Sequence, residues 1–332
     1  MRKYRIFALI FLIIMLVVPY FATFFKNKPD VEAIPEIPVG MEDIFNMEIS
    51  LYRTKSGKVE TLNCFDYICG VVAGEMPASY ETEALKAQTV AAFTYMVNKM
   101  EYVKQNPDSD IGHNGAYVCD DYTHCKAYLE KSSAAKKWGN DWYAKYYPSI
   151  ELSVTAVLGK IITCNNLPIN AVFHAVSNGK TCSAKEVWGT DISYLQSVES
   201  VSDTSSPDFK SVKNLTHTEF CDVFYDNLGV VLTADYKSWL GQIKKTDSGM
   251  VEEIIICETA YAGTYIRKLF SLKSSTFDIK ITDSEVEFTV YGYGHGVGMS
   301  QYGANEMAKL GCTYDQILKH YYIGVEIADY KI

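Results

Sequence analysis

Residues 63–99 read NCFDYICGVVAGEMPASYETEALKAQTVAAFTYMVNK, and this stretch predicts two helices that meet at a sharp break. Asn63, followed by Asp66 in the first turn, is typical of a helix start. Apolar residues then recur at helical spacing until Pro77, which cannot continue the helix. A second amphipathic helix follows, for which Ser79 is the predicted cap.

Glu75 lies at the predicted C-terminus of the first helix. A helix C-terminus carries partial negative charge, which disfavours a second negative charge, so we expect the pKa of Glu75 to be raised. A carboxyl group with a raised pKa at a hinge is suited to general acid catalysis. Most glutamates at helix ends are only solvated, so local chemistry leaves both interpretations open.

Three blocks of sequence, taken in order, resemble the stage II sporulation protein D family, which also contains the amidase-enhancer proteins. They are residues 70–95 (GVVAGEMPASYETEALKAQTVAAFTY), 173–198 (FHAVSNGKTCSAKEVWGTDISYLQSV) and 291–304 (YGYGHGVGMSQYGA). No single block is decisive, but the ordered set is specific, and the resemblance spans roughly residues 60–327. One position departs from the family pattern, because Phe93 stands where the family usually has an arginine in A-A-R-T-Y.

The resemblance implies a function. Members of the family are lytic transglycosylases of peptidoglycan whose E-M-P glutamate, here Glu75, is the catalytic acid and then the base. The expected reaction cleaves the MurNAc–GlcNAc bond of peptide-stripped glycan strands and leaves 1,6-anhydro ends. The expected setting is engulfment during endospore formation, with an amidase or endopeptidase and a membrane scaffold of the engulfment machinery as partners.

The second and third blocks contain the predicted substrate contacts. His174 follows a predicted strand, and Ser177 lies in a small-residue turn that lets a sugar approach the backbone. His295 lies among alternating glycines that lack the G-K-[ST] of a phosphate loop. Gln301 and Tyr302 fall in the first turn of a helix predicted to start near Ser300, where free N–H groups also point outward. A further helix is predicted to begin with a capping box of Thr313 and Gln316. A lone histidine after a strand, such as His174, is usually a structural group, so its role as a substrate contact rests on the resemblance.

A second carboxylate, Glu186, lies in the second block, but the resemblance assigns it no clear role. An ordinary glycosidase needs two carboxylates, one to protonate the leaving oxygen and one to attack or to activate water. A lytic transglycosylase needs only one essential acid.

A candidate metal site lies in residues 113–125, HNGAYVCDDYTHC. His113, Cys119 and Cys125 recur every six residues and are Zn²⁺ ligand types, so one zinc ion is expected, and with water as the fourth ligand the site would resemble a catalytic one. His124 is not included, because its neighbour Cys125 points in another direction. A Cys119–Cys125 disulfide and unlinked thiols are the alternatives, although nine cysteines cannot all pair.

The N-terminus predicts a membrane anchor. Residues 6–25 are uncharged and long enough to span a bilayer. Basic residues lie before the span, but Lys26 and Lys28 follow it, so the cytoplasmic placement of residues 1–5 rests partly on the substrate that the resemblance implies. Residues 26–45 are the predicted linker. This organisation predicts a single-pass protein of the cell membrane, with its catalytic domain between the mother-cell and forespore membranes. A net charge of −9, without a basic run, makes nucleic acid an unsuitable partner.

The predicted fold is α+β, with mixed helices and antiparallel sheet in one catalytic domain, residues 46–332. Residues 113–148 are expected to form a projecting arm or a metal-bearing loop, and their aromatic cluster could either stack sugars or fill core. Strands are predicted at residues 47–53, 150–158, 159–164, 169–175, 251–257, 265–269, 277–282, 285–291 and 325–332, and helices at 212–228 and 233–243. The aromatic cluster is Trp138, Trp142, Tyr143, Tyr146 and Tyr147.

Two other functions stay open on the sequence. If zinc acted as a Lewis acid, the protein would be a zinc-dependent hydrolase of cell-wall amides, and Glu75→Gln would be tolerated. If the protein were a non-catalytic adaptor that stimulates an amidase, Glu75→Ala would leave that stimulation intact.

Overall fold

The computed structural model describes residues 40–107 and 112–332. A short helix α1 (Glu42–Phe45) comes first, and its Ile44 and Phe45 are buried, so the folded domain begins before residue 46. No helix in this part of the chain has the length and apolarity to cross a bilayer. The predicted anchor, residues 6–25, lies outside the described residues.

The two helices predicted on either side of Glu75 are confirmed. A hairpin of β1 (Glu48–Arg53) and β2 (Lys58–Asn63) leads into helix α2 (Cys64–Glu75), and helix α3 (Thr82–Gln105) follows. The Asn63 side chain accepts a hydrogen bond from the Asp66 N–H at 2.7 Å, as predicted.

The start of α3 differs from the prediction. Its N-cap position is Glu81 rather than Ser79, and the Glu81 N–H donates to the side chain of Asn305. This contact comes from a residue more than 200 positions away, so local sequence could not indicate it. The middle of α3, residues 87–97, is buried without interruption, which explains why no charged residue occurs there.

The region that was expected to project packs against α2 instead. Strand β3 (Val118–Cys119) joins β1 in parallel, and the Leu129 N–H donates to Gly70 O in α2. Helices α4 (Lys131–Trp138) and α5 (Asn140–Val157) then lie against α2, and α5 also packs on α3. The predicted projecting arm is therefore wrong.

The strand predicted at residues 150–158 is also wrong, because these residues form the second half of α5. Ile150, Val154 and Val157 are buried, and their spacing of four and three is that of one helix face. A sheet follows, with β4 (Lys160–Cys164) between β5 (Leu167–Pro168) and β14 (Glu326–Asp329), which confirms the strands predicted at 159–164 and at the C-terminus.

The second and third family blocks meet in space through two short parallel strands, β6 (Phe173–His174) and β13 (Met299–Ser300). Helix α6 (Ala184–Trp188) lies within the second block, α9 (Gln301–Lys309) begins in the third block, and α10 (Tyr314–Tyr321) follows α9. Ser300 caps α9 and Thr313 forms a capping box with Gln316, as predicted.

Residues 207–291 build a second hydrophobic cluster. Its elements are β7 (Lys210–Leu215), α7 (His217–Leu228), β8 (Leu240–Lys245), β9 (Val251–Ile256), β10 (Thr259–Ala262), α8 (Gly263–Leu269), β11 (Phe277–Ile281) and β12 (Val286–Tyr291). They form two antiparallel sheets, ordered β10-β9-β8 and β11-β12-β7, around packed phenylalanines. The mixture of helices and antiparallel sheets confirms the predicted α+β class.

Three predictions in residues 207–291 are wrong. Residues 212–228 are a strand followed by a helix, because Thr216 forms a capping box with Glu219 that starts α7 there. Residues 233–243 are mostly loop and strand, with one turn of 3₁₀-helix. Residues 265–269 belong to α8 rather than to a strand.

Candidate functional site

Glu75 is the last residue of α2 and is half-buried. Its Oε1 accepts a hydrogen bond from the Ala127 N–H at 2.6 Å. Burial raises the pKa of Glu75, and the Lys126 ammonium and the Ala127 N–H only partly oppose it. The raised pKa is as expected, but burial, rather than the helix end, is its main cause.

Lys126 is a charged residue of the site that the sequence did not indicate. Its side chain is buried, and Nζ lies 3.7 Å from the ring centroid of Phe173 and 4.5 Å from that of Tyr95. Burial lowers the pKa of Lys126 to about 8, and Glu75 opposes that change. Phe93 is fully buried against Tyr330, so the cation near Glu75 comes from a different segment than the family arginine.

His174 and His295 come together, as the resemblance implied, with ring centroids 5.8 Å apart. His174 Nδ1 donates to Val297 O at 3.1 Å, which leaves its buried Nε2 as an acceptor without a partner among the described residues. His295 Nδ1 accepts from the Val297 N–H, and the ring of Trp188 lies 5.5 Å away. Burial lowers the pKa of His174 to about 4 and lowers the pKa of His295 as well, so both rings are neutral near pH 7.

The other predicted contacts hold the protein together. Ser177 is buried, its hydroxyl accepts from the Gly179 N–H, and its own N–H donates to Asp203 at 2.7 Å. Asp203 also accepts from the Ser300 hydroxyl, so it ties the second block to the third. Nothing in the motifs pointed to Asp203.

The last two predicted contacts lie in α9. Gln301 is buried, and its Nε2 donates to Gln88 of α3 at 3.3 Å. Tyr302 is half-buried, and its backbone N–H donates to Ala175 O. Among the predicted substrate contacts, the two histidines are therefore the pair whose side chains lie next to each other.

Glu186 is a helix cap. It accepts from the Ser183 N–H at 2.7 Å, from the Ser183 hydroxyl at 3.0 Å and from the Ser248 N–H at 3.1 Å. Burial alone would raise the pKa of Glu186, but these bonds outweigh it and hold the pKa below its usual value.

Four potential metal ligands converge: the side chains of His113, Cys119, His124 and Cys125 place their donor atoms within 4.8 Å of one another. Cys125 Sγ lies 3.4 Å from His113 Nε2, and Cys119 Sγ lies 3.6 Å from His124 Nδ1. Ligand atoms around a tetrahedral zinc ion are about 3.3–3.8 Å apart, so these two distances and the ligand types fit that ion. His113 Nε2 and His124 Nδ1 are 2.8 Å apart and Cys125 Sγ and His124 Nδ1 are 4.0 Å apart, so His124 would have to shift slightly to complete the tetrahedron.

His124 corrects the predicted three-ligand set. Its main chain follows a turn in which the His124 and Cys125 N–H groups both bond to Asp121 O, and this turn brings neighbouring side chains to one point. All nine cysteines, Cys119 and Cys125 included, are free thiols, so the structure contains no disulfide. Four potential protein ligands, if all bound one ion, would make a closed site.

A pocket of about 370 Å³ opens beside Glu75. Its lining residues are Ala73, Gly74, Glu75, Met76, Pro77, Ala78, Trp138 and Trp142. The pocket therefore combines one carboxyl group of raised pKa with an otherwise uncharged wall. Of the predicted aromatic cluster, Trp138 and Trp142 reach the pocket, while Tyr147 is buried in the core.

Comparison with known proteins agrees with the motifs. A sequence model of the family described as Stage II sporulation protein matches residues 52–164. Stage II sporulation protein D of Bacillus subtilis (strain 168) is 39% identical over 284 residues, covering 85% of this chain and 79% of that protein. Its counterpart in Bacillus amyloliquefaciens is 37% identical over the same shares. The amidase enhancer of Bacillus subtilis (strain 168) is 27% identical over 79% of this chain and 40% of that protein. This chain therefore belongs to the stage II sporulation protein D family.

Proposed function

We propose that this protein is a lytic transglycosylase that cleaves the MurNAc–GlcNAc bond of peptidoglycan, with Glu75 as its acid and base. The observation that carries the proposal is a half-buried carboxyl group of raised pKa in the wall of a 370 Å³ pocket. A raised pKa keeps a larger share of the carboxyl protonated near neutral pH, as a general acid requires.

In the first half of the reaction the Glu75 carboxyl donates its proton to the bridging oxygen. The bond between that oxygen and C1 of the muramic sugar breaks, and the glucosamine sugar leaves with a hydroxyl group. Positive charge develops at C1, and the Glu75 carboxylate that remains is stabilised by the Ala127 N–H and the Lys126 ammonium.

In the second half the Glu75 carboxylate takes the proton of the C6 hydroxyl of the same muramic sugar. O6 then bonds to C1, which closes the 1,6-anhydro ring and returns Glu75 to its acid form. The reaction is internal, so no water needs activation and no second carboxylate is required. Glu186 is unsuited to such a role, because backbone and hydroxyl donors occupy its carboxylate.

The paired histidines support substrate binding. Both are neutral near pH 7, and His295, the half-buried ring of the pair, is the one that a sugar can reach, while the buried His174 packs beside it. The ring of Trp188 beside His295 offers an apolar face to the same substrate.

For the cofactor we propose one structural zinc ion, held by His113, Cys119, His124 and Cys125. When bound it would crosslink residues 113–125 and stabilise their thiolates. Cys125 is two residues before Ala127, whose N–H donates a hydrogen bond to Glu75. A bound zinc ion that fixes residues 113–125 would therefore help to hold the Ala127 N–H in place against the Glu75 carboxyl group. A closed site leaves no position for a water nucleophile, which argues against a zinc-dependent amide hydrolase.

The proposed setting is engulfment during endospore formation, with residues 6–25 as the single membrane anchor and the N-terminus in the cytoplasm. The folded domain would then act on peptide-stripped glycan strands between the mother-cell and forespore membranes. An amidase or endopeptidase that strips the strands and a membrane scaffold are the proposed partners.

A second candidate function is stimulation of an amidase without catalysis. It is favoured by one observation, namely that a relative over 79% of the chain carries the name amidase enhancer.

Product analysis separates these functions. Mass spectrometry of denuded glycan strands digested with the full-length chain should find 1,6-anhydro ends. Reducing ends would indicate hydrolysis, release of stem peptides that a chelator abolishes would indicate an amide hydrolase, and an absence of products with retained stimulation of an amidase would favour the adaptor.

A further inference from the structure

We propose that Trp138 and Trp142 form a subsite for an uncharged N-acetylglucosamine ring directly beside Glu75. The proposal rests on the proposed function, and it names the sugar that binds on the side of Glu75 where the two tryptophans lie. In the proposed reaction that sugar is the leaving group.

The backbone between the two tryptophans sets their positions. Trp138 ends α4, Trp142 lies in the first turn of α5, and Gly139 separates the two helices. Gly139 has φ 84° and ψ 151°, a conformation that residues with a side chain rarely adopt. A Cβ built there would touch nothing within 4 Å, so it is the backbone conformation, and not space, that calls for glycine.

This break lets both indoles line one pocket with Glu75. The ring of Trp142 packs 4.2 Å from that of Tyr146, and the ring of Trp138 lies 6.1 Å from that of Tyr147. The supporting tyrosines restrict the rotamers of both indoles before a ligand arrives, which lowers the entropy cost of binding. Trp142 nevertheless remains 39% exposed, so part of its surface is open to a partner.

The chemistry of the lining selects the sugar. Among the described residues Glu75 is the single ionisable group in the wall, and the rest is alanine, glycine, methionine, proline and tryptophan. An apolar wall with aromatic faces suits the C–H face of a pyranose and its acetyl group. Muramic acid with its stem peptide removed carries a carboxylate, which would lose hydration here without meeting a cation.

The direction in which the glycan strand lies across Glu75 follows from the preference of the pocket for an uncharged sugar. The acid stands at the bond between a muramic and a glucosamine sugar, so one ring lies on each side of it. If the uncharged pocket receives glucosamine, the muramic ring lies on the other side of Glu75. Lys126, the cation that acts on Glu75, does not line the tryptophan pocket.

The test measures binding of chitotetraose, an uncharged oligomer of N-acetylglucosamine, to the full-length chain carrying Glu75→Gln. Calorimetry should show that Trp142→Ala raises the Kd roughly three- to tenfold, in line with the energy of one aromatic contact. Trp138→Ala should have a similar effect, and Trp142→Phe should recover part of it. The matched control is Tyr225→Ala on α7, an exposed aromatic outside the pocket, which should leave the Kd unchanged.

An unchanged Kd in Trp142→Ala and Trp142→Phe proteins that keep the native circular dichroism spectrum would overturn the subsite. Formation of 1,6-anhydro ends by the unmodified chain is measured separately. If the tryptophan variants lose chitotetraose binding but the unmodified chain forms no 1,6-anhydro ends, the sugar subsite is retained and the proposed reaction is rejected. If the unmodified chain forms such ends but the variants bind chitotetraose as before, the reaction is retained and the subsite is rejected.

Discussion

Glu75 and Glu186 are both half-buried glutamates at the end of a helix, yet their pKa values shift in opposite directions. Burial is the largest influence on each and raises the pKa in both cases. Glu75, at a helix C-terminus, accepts a backbone N–H from Ala127. Glu186, in the first turn of α6, accepts two backbone N–H groups and a hydroxyl.

This difference shows that burial alone does not raise the pKa of a glutamate. Hydrogen-bond donors stabilise the charged form of a carboxyl group, so a well-donated carboxylate stays ionised even when it is half-buried. Glu75 lies where α2 ends and its free groups are carbonyls, and these cannot donate to it. The C-terminal position therefore matters through the donors it lacks as well as through the helix dipole.

The largest expected effect is on catalysis. Glu75→Gln should reduce the rate of 1,6-anhydro product formation about 10²- to 10⁴-fold, the usual contribution of a general acid. Glu186→Gln, assayed at a temperature where it is folded, should change that rate by less than about tenfold, since it acts only through the fold. Equal losses in the two variants would remove the distinction between the two glutamates.

Loss of the metal is the next effect in size and tests what holds the Ala127 segment near Glu75. Cys119→Ser, or a strong chelator, should destabilise the full-length chain by about 3 kcal/mol, or roughly 6–12 °C in Tm. The thiol of Cys221 lies outside the cluster, so Cys221→Ser is the matched control. A melting curve that the chelator leaves unchanged, together with no zinc in elemental analysis, would contradict the closed site.

The stability cost of Glu186→Gln should be about 1–3 kcal/mol at pH 7 by urea unfolding, since one of the two acceptor oxygens becomes an NH₂ group that faces another donor and the other oxygen loses its charge. The pKa of Glu186 is lower in the folded chain than its usual 4.5, so its stabilisation is present above pH 4.5 and is lost as the pH falls through the folded pKa. The difference between variant and parent should therefore shrink at acid pH. A difference that grows there would reverse the sign of the inferred shift.

The smallest effect is a displacement of the pH profile. Lys126→Met removes a positive charge that opposes the rise in the Glu75 pKa, so the pKa should rise further. The fall of kcat/KM at alkaline pH, which reports loss of the acid, should move to higher pH. Lys237→Met, which removes an exposed cation of residues 207–291, should leave the profile in place. A movement to lower pH would show that Lys126 does not act on Glu75 as a charge.

Prediction from the sequence succeeded where neighbouring residues alone determine where a helix begins or ends. Asn63 with Asp66, Pro77 after Glu75, and Thr313 with Gln316 marked helix ends correctly, because a cap or a proline acts within four residues. It failed at residues 150–158, where aliphatic residues fit a strand or a helix and packing on α2 and α3 decided for the helix. Lys126 and Asp203 carry no local pattern, since their partners lie dozens of residues away.

By itself the sequence determined the two helices around Glu75, the α+β class, three of the four convergent potential metal ligands and the family. These follow from periodicity, caps and motifs, which are properties of neighbouring residues. The tertiary structure alone decided that His124 joins the metal cluster, that Lys126 is the cation acting on Glu75, and that Trp138 and Trp142 share its pocket. Burial, donors and charge at a carboxyl group come from segments distant in the chain, so only the packed fold determines which glutamate is an acid.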